Sequence, residues 1–207
     1  MPRLPRRFYA RQTLEVATDL LGKVLVHRTA AGVASGLIVE VEAYIGESDP
    51  ACHAAPGPTK RNEPMYGPPG HAYVYLNYGI HCLVNDVTEP AGSPAAVLIR
   101  SLEPLEGLPL MRRRRARPRT AGGSRRRLDI ADDRLCSGPG NVTHALGITL
   151  RDTGVDLLGE TLYIEDRGNR VSRVAWSPRI GITVGTERPW RCFADGHRSV
   201  SGRALVA

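Results

Sequence analysis

Between Gly36 and Tyr44 the side chains alternate: Leu37, Val39, Val41 and Ala43 form one apolar series, with Glu40, Glu42 and Tyr44 set between them. A period of two marks a β-strand with one buried face, and it turns both carboxylates and the ring to the opposite surface. The chain therefore needs a sheet whose far face holds an acid beside an aromatic platform. Many solvated edges have the same pattern, so the strand alone does not separate a water-facing surface from a site.

The flanking segments supply the rest of that sheet. Residues 12 to 21 place Leu14, Ala17, Leu20 and Leu21 at helical spacing and stop at Gly22. Lys23 to His27 and Gly36 to Tyr44 read as strands joined through the small residues Ala30, Ala31 and Gly32. Residues 46 to 70 show no periodicity and form a long loop, ordered or functional. Ala72 to Leu76 and Ile80 to Asn85 make a β-hairpin with Tyr78 at its tip. In a further strand, Ala95 to Leu102, Leu98 and Arg100 share one side and Val97 and Ile99 the other. Arg100 needs a partner there, with Glu40 and Glu42 both open as one half of a structural ion pair.

Cys136 to Asn141 is a Gly-rich entry to a short helix, Val142 to Leu146, whose free N–H groups fit a phosphate. Leu162 to Glu165, Val171 to Ala175 and Ile180 to Val184 read as short strands, with Trp190 to Phe193 as a final segment. There is no repeat and no βαβ rhythm. The expectation is an α+β fold: a single domain over residues 1–207, with a mixed, mostly antiparallel β-sheet, short flanking helices and a protruding β-hairpin. GxGxxG, Walker, HExxH and GxSxG motifs are absent, so no cofactor and no metal are expected.

A length of 207 residues with 42% hydrophobic content suits one sizeable core. The net charge of +7 and pI near 9.6 favour a polyanionic partner, nucleic acid first. Since 26 of the 28 basic residues are Arg, a GC-rich genome is an equally good source of that bias. Arginines crowd residues 112 to 127 among Pro118, Gly122 and Gly123, which reads as a flexible insertion, either merely solvated or a DNA-contact arm. No run of eighteen apolar residues occurs and the N-terminus lacks the apolar core of a signal peptide, so a soluble cytoplasmic protein with no membrane partner is expected, nucleoid-associated if bacterial. Cys52, Cys82, Cys136 and Cys192 have no paired spacing and read as reduced, mostly buried thiols.

A basic protein with a carboxylate, several aromatics near strand ends and a tip tyrosine suits base extrusion from a duplex. Aromatic rings stack on the flipped base, a wedge fills the gap, and the carboxylate activates water while stabilising positive charge on the sugar. Glu42-Ala43-Tyr44, His53, Arg61-Asn62, Tyr73-Val74-Tyr75, Tyr78-Gly79, Asn85, Leu98-Ile99-Arg100, Leu102 to Gly107 and Leu135 to Pro139 together resemble, in order and spacing, the alkyladenine (3-methyladenine, methylpurine) DNA glycosylase family. The resemblance runs from about Tyr9 to Ser201.

It implies a monofunctional DNA N-glycosylase, expected as a monomer, acting on double-stranded DNA that contains damaged purines. The implied substrates are 3-methyladenine, 7-methylguanine, hypoxanthine and ethenoadenine, and the product is an abasic site. Glu42 corresponds to the general base, with Arg100 helping to hold the water and a phosphate. Tyr44 and Tyr75 would sandwich the base, His53 would close the pocket, Asn85 would crowd the amine of guanine, and Leu98 would line the wall. Tyr78 would intercalate; Ser137, Gly140 and Asn141 would meet the DNA backbone. From the residues themselves His53 is equally a loop residue satisfied locally, Tyr73 is core or pocket, and Asp86 adds negative charge near the DNA path. The rival functions are a non-catalytic damaged-DNA-binding protein and an RNA-binding or formyltransferase-type accessory module.

Overall fold

Among the described residues no helix exceeds eight residues, and the strands, punctuated by glycines, join one sheet. The computed structural model describes residues 1–116 and 129–202. Two short helices, α1 (Arg6–Tyr9) and α2 (Thr13–Leu20), lead into β1 (Val24–Thr29) and the long β2 (Gly32–Ile45). After a loop come the hairpin β3 (Ala72–Asn77) and β4 (His81–Val87), then β5 (Ala95–Glu106), α3 (Leu108–Arg115) and α4 (Pro139–Leu146). The last strands are β6 (Leu162–Glu165), β7 (Val174–Ser177) and β8 (Arg191–Ala194). The order is β3-β4-β5-β2-β1-β6, with β8 on β2 and β7 on β8. Every strand pair among the described residues is antiparallel. The fold is thus α+β in one domain, as the sequence predicts.

One face of the sheet carries the principal core: Val16, Ala17 and Leu20 of α2 and Val142, Ala145 and Leu146 of α4 pack with Ile38, Val41, Ala43, Val97, Ile99 and Leu102. The apolar series of β2 does not stay on that face. Leu37 and Val39 pack instead with Phe193. The reason is a pair of bulges. Ile38 pairs with Leu102, Glu40 with Ser101 and Val41 with Ile99, so Val39 is an extra residue on β2 and Arg100 an extra residue on β5. The core face of β2 consequently steps from Ile38 to Val41. On the far side it delivers Glu40, Glu42 and Tyr44 towards Leu98 and Arg100.

Three other expectations change. The expected strand Val171 to Ala175 forms as β7, shifted to Val174–Ser177 and ended by Pro178. Ile180 to Val184 is no strand, because Gly181 (φ 81°) and Gly185 (φ 63°) turn the backbone left-handed. The insertion expected over 112–127 begins instead as α3, and residues 117–127 of it lie outside the described residues. Arg114 Nη1 donates to the carbonyls of Leu146 (2.6 Å) and Ala145 (3.1 Å), satisfying the open end of α4 with a cation where the helix dipole is negative. Arg112 holds the Ile130 carbonyl and Asp132, and Arg115 holds the Leu135 carbonyl. These arginines bind the protein's own backbone.

Asp86 also differs from the sequence reading. It neighbours Asn85 on β4 but is fully buried, and its carboxyl meets no hydrogen-bond partner among the described residues. Burial pushes this acid well above the usual carboxylate range, with its own backbone N–H offsetting only part. It presents no surface to the DNA path. The folded chain holds this carboxyl protonated to a higher pH than the unfolded chain does, so its contribution to stability falls as pH rises above the unfolded value. Urea unfolding of the parent and of Asp86→Asn at successive pH values will show the parent losing ground by about 1.4 kcal/mol per pH unit until the folded-state acid ionises. Parallel curves would remove this account.

Candidate active site

A cavity of about 350 Å³ opens on the far face of the sheet. Tyr44, His53, Tyr75, Asn85, Leu98 and Arg100 all line it, as does Tyr78. The sequence reading placed every one of these near a site, and the bulged β2–β5 pair and the β3–β4 hairpin bring them together. Its size lies at the lower end of the range for small-molecule sites, about 300–1,000 Å³.

One wall is aromatic. Tyr73 and Tyr75 lie two residues apart on β3 and share a face, with ring centroids 5.5 Å apart. The His53 ring stands edge-on to Tyr75 at 4.4 Å, and His53 Nδ1 shares a 2.9 Å hydrogen bond with the Tyr73 hydroxyl. Tyr73 is therefore both core and pocket: it is buried with Met65 and Cys52, and it also lines the cavity. The loop that carries His53 is ordered by buried Asn62, whose Nδ2 donates to the carbonyls of His53 (2.7 Å) and Gly57 (2.9 Å). From the opposite strand, Asn85 Nδ2 donates to the Tyr73 carbonyl (2.9 Å).

Burial, and then the Arg61 charge, lower the His53 pKa to about 4. His53 is thus neutral at physiological pH. An NMR titration will place its midpoint near 4, and the stability it contributes will be present above about pH 6.5 and decline as the pH falls towards 4. A midpoint at the ordinary imidazole value would show the ring to be solvated.

Arg100 lines the cavity, and Glu42 lies behind the lining, in contact with Tyr44, Arg100 and Ile180, which do line it. Glu42 has no exposed surface; its Oε1 accepts from the Ile180 N–H (2.7 Å), and its Oε2 from the Tyr44 hydroxyl (3.0 Å). Burial and then the Glu42 charge raise the Tyr44 pKa, keeping the phenol a donor. Arg100 joins both glutamates: its Nε donates to Glu40 at 3.0 Å, and its Nη1 is 3.1 Å from Glu42 Oε2. The two open partners for Arg100 are both used.

Glu40 is the more heavily bound of the pair. Besides Arg100 it accepts from Arg191 Nε (2.7 Å), the Ser101 hydroxyl (2.6 Å), and the Ser201 N–H (2.6 Å) and hydroxyl (2.9 Å). Burial alone would raise its pKa, but Arg100, Ser101, Arg191 and Ser201 together hold it below the usual carboxylate range.

At the rim, the turn Asn77-Tyr78-Gly79-Ile80 closes with the Ile80 N–H on the Asn77 carbonyl, and both central residues have positive φ. A left-handed residue with a side chain costs about 1–2 kcal/mol. Tyr78 bears that cost while its ring is 84% exposed. Beside the hairpin, Pro139 at the start of α4 lines the cavity, and Gly140 lets His81 approach to where a Cβ would meet it at 3.1 Å. Ser137, Gly140 and Asn141 stand outside the cavity at this helix entrance. Asn141 Nδ2 donates to the Ser137 carbonyl (2.6 Å), and Ser137 bridges Ser101 on β5.

The sequence reading missed the strap Ile180-Gly181-Ile182, which lines the cavity opposite the hairpin. It also missed Arg179 and Asp49, a fully buried ion pair behind Tyr44. The Ser48-Asp49-Pro50 turn and the Pro178-Arg179 break were the available signals, both weak.

A slot for one flat ring, with an acid–arginine pair beneath it and an exposed ring on the adjoining hairpin, is equipment for a DNA N-glycosylase. Residues 7–198 match the methylpurine-DNA glycosylase (MPG) family model, and the chain belongs to that family. Three relatives carry the name "Putative 3-methyladenine DNA glycosylase". The protein of Chlorobium phaeobacteroides (strain BS1) is 46% identical over 205 residues, 98% of this chain and 97% of that one. That of Methanocella arvoryzae is 49% identical over 208 residues, 99% and 98% of the two chains. The Rubrobacter xylanophilus protein is 50% identical over 194 residues, 90% and 94%.

Proposed function

We propose that this DNA glycosylase removes alkylated and deaminated purines, with hypoxanthine and ethenoadenine among its substrates beside 3-methyladenine and 7-methylguanine. The observation that carries the reading is the cavity walled by Tyr44, Tyr75 and His53 above the Glu42–Arg100 pair. Tyr78 fills the gap as the purine leaves the stack, and Tyr44 and Tyr75 hold its two faces. Asn85 and Leu98 shape the edge where a guanine amine would lie. Ser137, Gly140 and Asn141, at the entrance to α4, meet the phosphate backbone.

Glu42 takes a proton from a water molecule held with the help of Arg100. As the glycosidic bond breaks, with its electron pair going to the base nitrogen, the carboxylate stabilises the positive charge on the sugar, and it takes the proton only as the water oxygen bonds to C1′. No helix among the described residues is long and apolar enough to cross a membrane, and the protein works as a monomer on duplex DNA in the cytoplasm or nucleoid. The test is a panel of duplex oligonucleotides, each with one lesion, followed by alkaline cleavage. Breakage at hypoxanthine and ethenoadenine as well as at the methylated purines is the expected result; breakage at the methylated purines alone would restrict the range.

A further inference from the structure

We propose that Arg179, held by Asp49, is a specificity-determining residue that favours neutral purines over cationic ones through the ring of Tyr44. This rests on the reading of Tyr44 as one face of the base pocket. The Arg179 guanidinium makes a bidentate pair with Asp49, Nη1 to Oδ2 at 2.6 Å and Nη2 to Oδ1 at 2.8 Å, and Nη1 also donates to the Ala43 carbonyl (3.0 Å). Neither side chain has exposed surface. The guanidinium carbon lies 4.6 Å from the Tyr44 ring centroid. Arg179 does not line the cavity and Tyr44 does, so the cation stands behind the ring that the base would touch.

A cation on one face of an aromatic ring draws its electrons that way and leaves the other face less attractive to a second cation. Asp49 neutralises the pair as a whole, but the member of the pair that stacks on the Tyr44 ring is the guanidinium, so the ring meets its positive end. Leaving-group chemistry turns this into selectivity. When the glycosidic bond breaks, its electron pair goes to the base. A neutral purine such as hypoxanthine becomes negative, and a cationic one such as 7-methylguanine becomes neutral. Positive potential behind Tyr44 therefore stabilises the transition state for the neutral lesion. For the cationic lesion it mainly weakens ground-state binding and leaves kcat/KM almost unchanged.

The experiment compares kcat and KM for hypoxanthine and 7-methylguanine in otherwise identical duplexes. In Asp49→Asn/Arg179→Gln, which leaves no buried charge alone, the hypoxanthine to 7-methylguanine ratio of kcat/KM should fall about tenfold, the scale of a desolvated cation–π contact. The KM for 7-methylguanine should fall as well. In Asp49→Asn, where Arg179 keeps its charge without a counter-ion, the ratio should rise. A purely structural role would lower both lesions by one factor in both variants, and that result overturns the proposal, as does a ratio that moves the same way in both. If the double variant does not fold, Asp49→Asn decides alone: a ratio that fails to rise overturns the proposal. Failure of the parent enzyme to cut hypoxanthine at all would instead sink the substrate range on which the proposal rests.

Discussion

Glu42→Gln will cut glycosidic cleavage by about 10²–10⁴-fold, the usual contribution of a positioned acid–base group, while lesion-bearing DNA still binds. Glutamine keeps the shape of the side chain and can still accept the Ile180 N–H. It cannot take a proton from water, and its amide group presents no negative charge to the sugar or to Arg100. Single-turnover cleavage under saturating enzyme reports the chemical step, and a gel-shift titration with the same duplex reports binding. Loss of cleavage with retained binding also separates the enzyme from a damage-binding protein, which would be indifferent to this change. Cleavage at the parental rate would remove Glu42 as the base and leave the pocket assignment standing.

Glu40→Gln will act on stability. Five hydrogen bonds meet this buried carboxylate, two of them from arginines, and removing its charge leaves Arg191 without its counter-ion and Arg100 with Glu42 alone. Breaking a buried pair from one side costs about 3–5 kcal/mol. Urea unfolding at pH 7 measures that loss. Because the Glu40 carboxyl is held below its ordinary value in the folded protein, its contribution is complete above the unfolded range and disappears as the pH falls through the folded value. The gap between parent and variant should therefore close in acid. A gap that stays constant would show that the loss comes from shape and not from charge.

These two variants divide the glutamates that an alternating pattern could not tell apart. Alternation made Glu40 and Glu42 equivalent; the structure makes one an anchor for two arginines and sets the other beneath the cavity. The bulges hid the difference, because Val39 and Arg100 are ordinary strand residues with no local sign that a ladder skips them. Tyr44, Tyr75, His53, Asn85 and Leu98 were legible through their order and spacing across four strands and a loop. The Ile180–Ile182 strap was not, since Ile180, Ile182 and Val184 alternate as a strand would and only Gly181 between them and Gly185 after them oppose it. The role of Arg114 was also invisible: a run of arginines reads as solvated charge until the unsatisfied carbonyls of another helix come within its reach.

The offset bulges limit how this sheet can change. Deleting Val39 alone would move Glu42 and Tyr44 one place against β5 and turn them from the cavity to the core. Deleting Arg100 alone would do the same to Leu98 from the other side. Losing both would restore the alignment, but with no guanidinium between the carboxylates. Length changes here have no workable single step, so the two strands can drift by substitution but are locked against insertion and deletion.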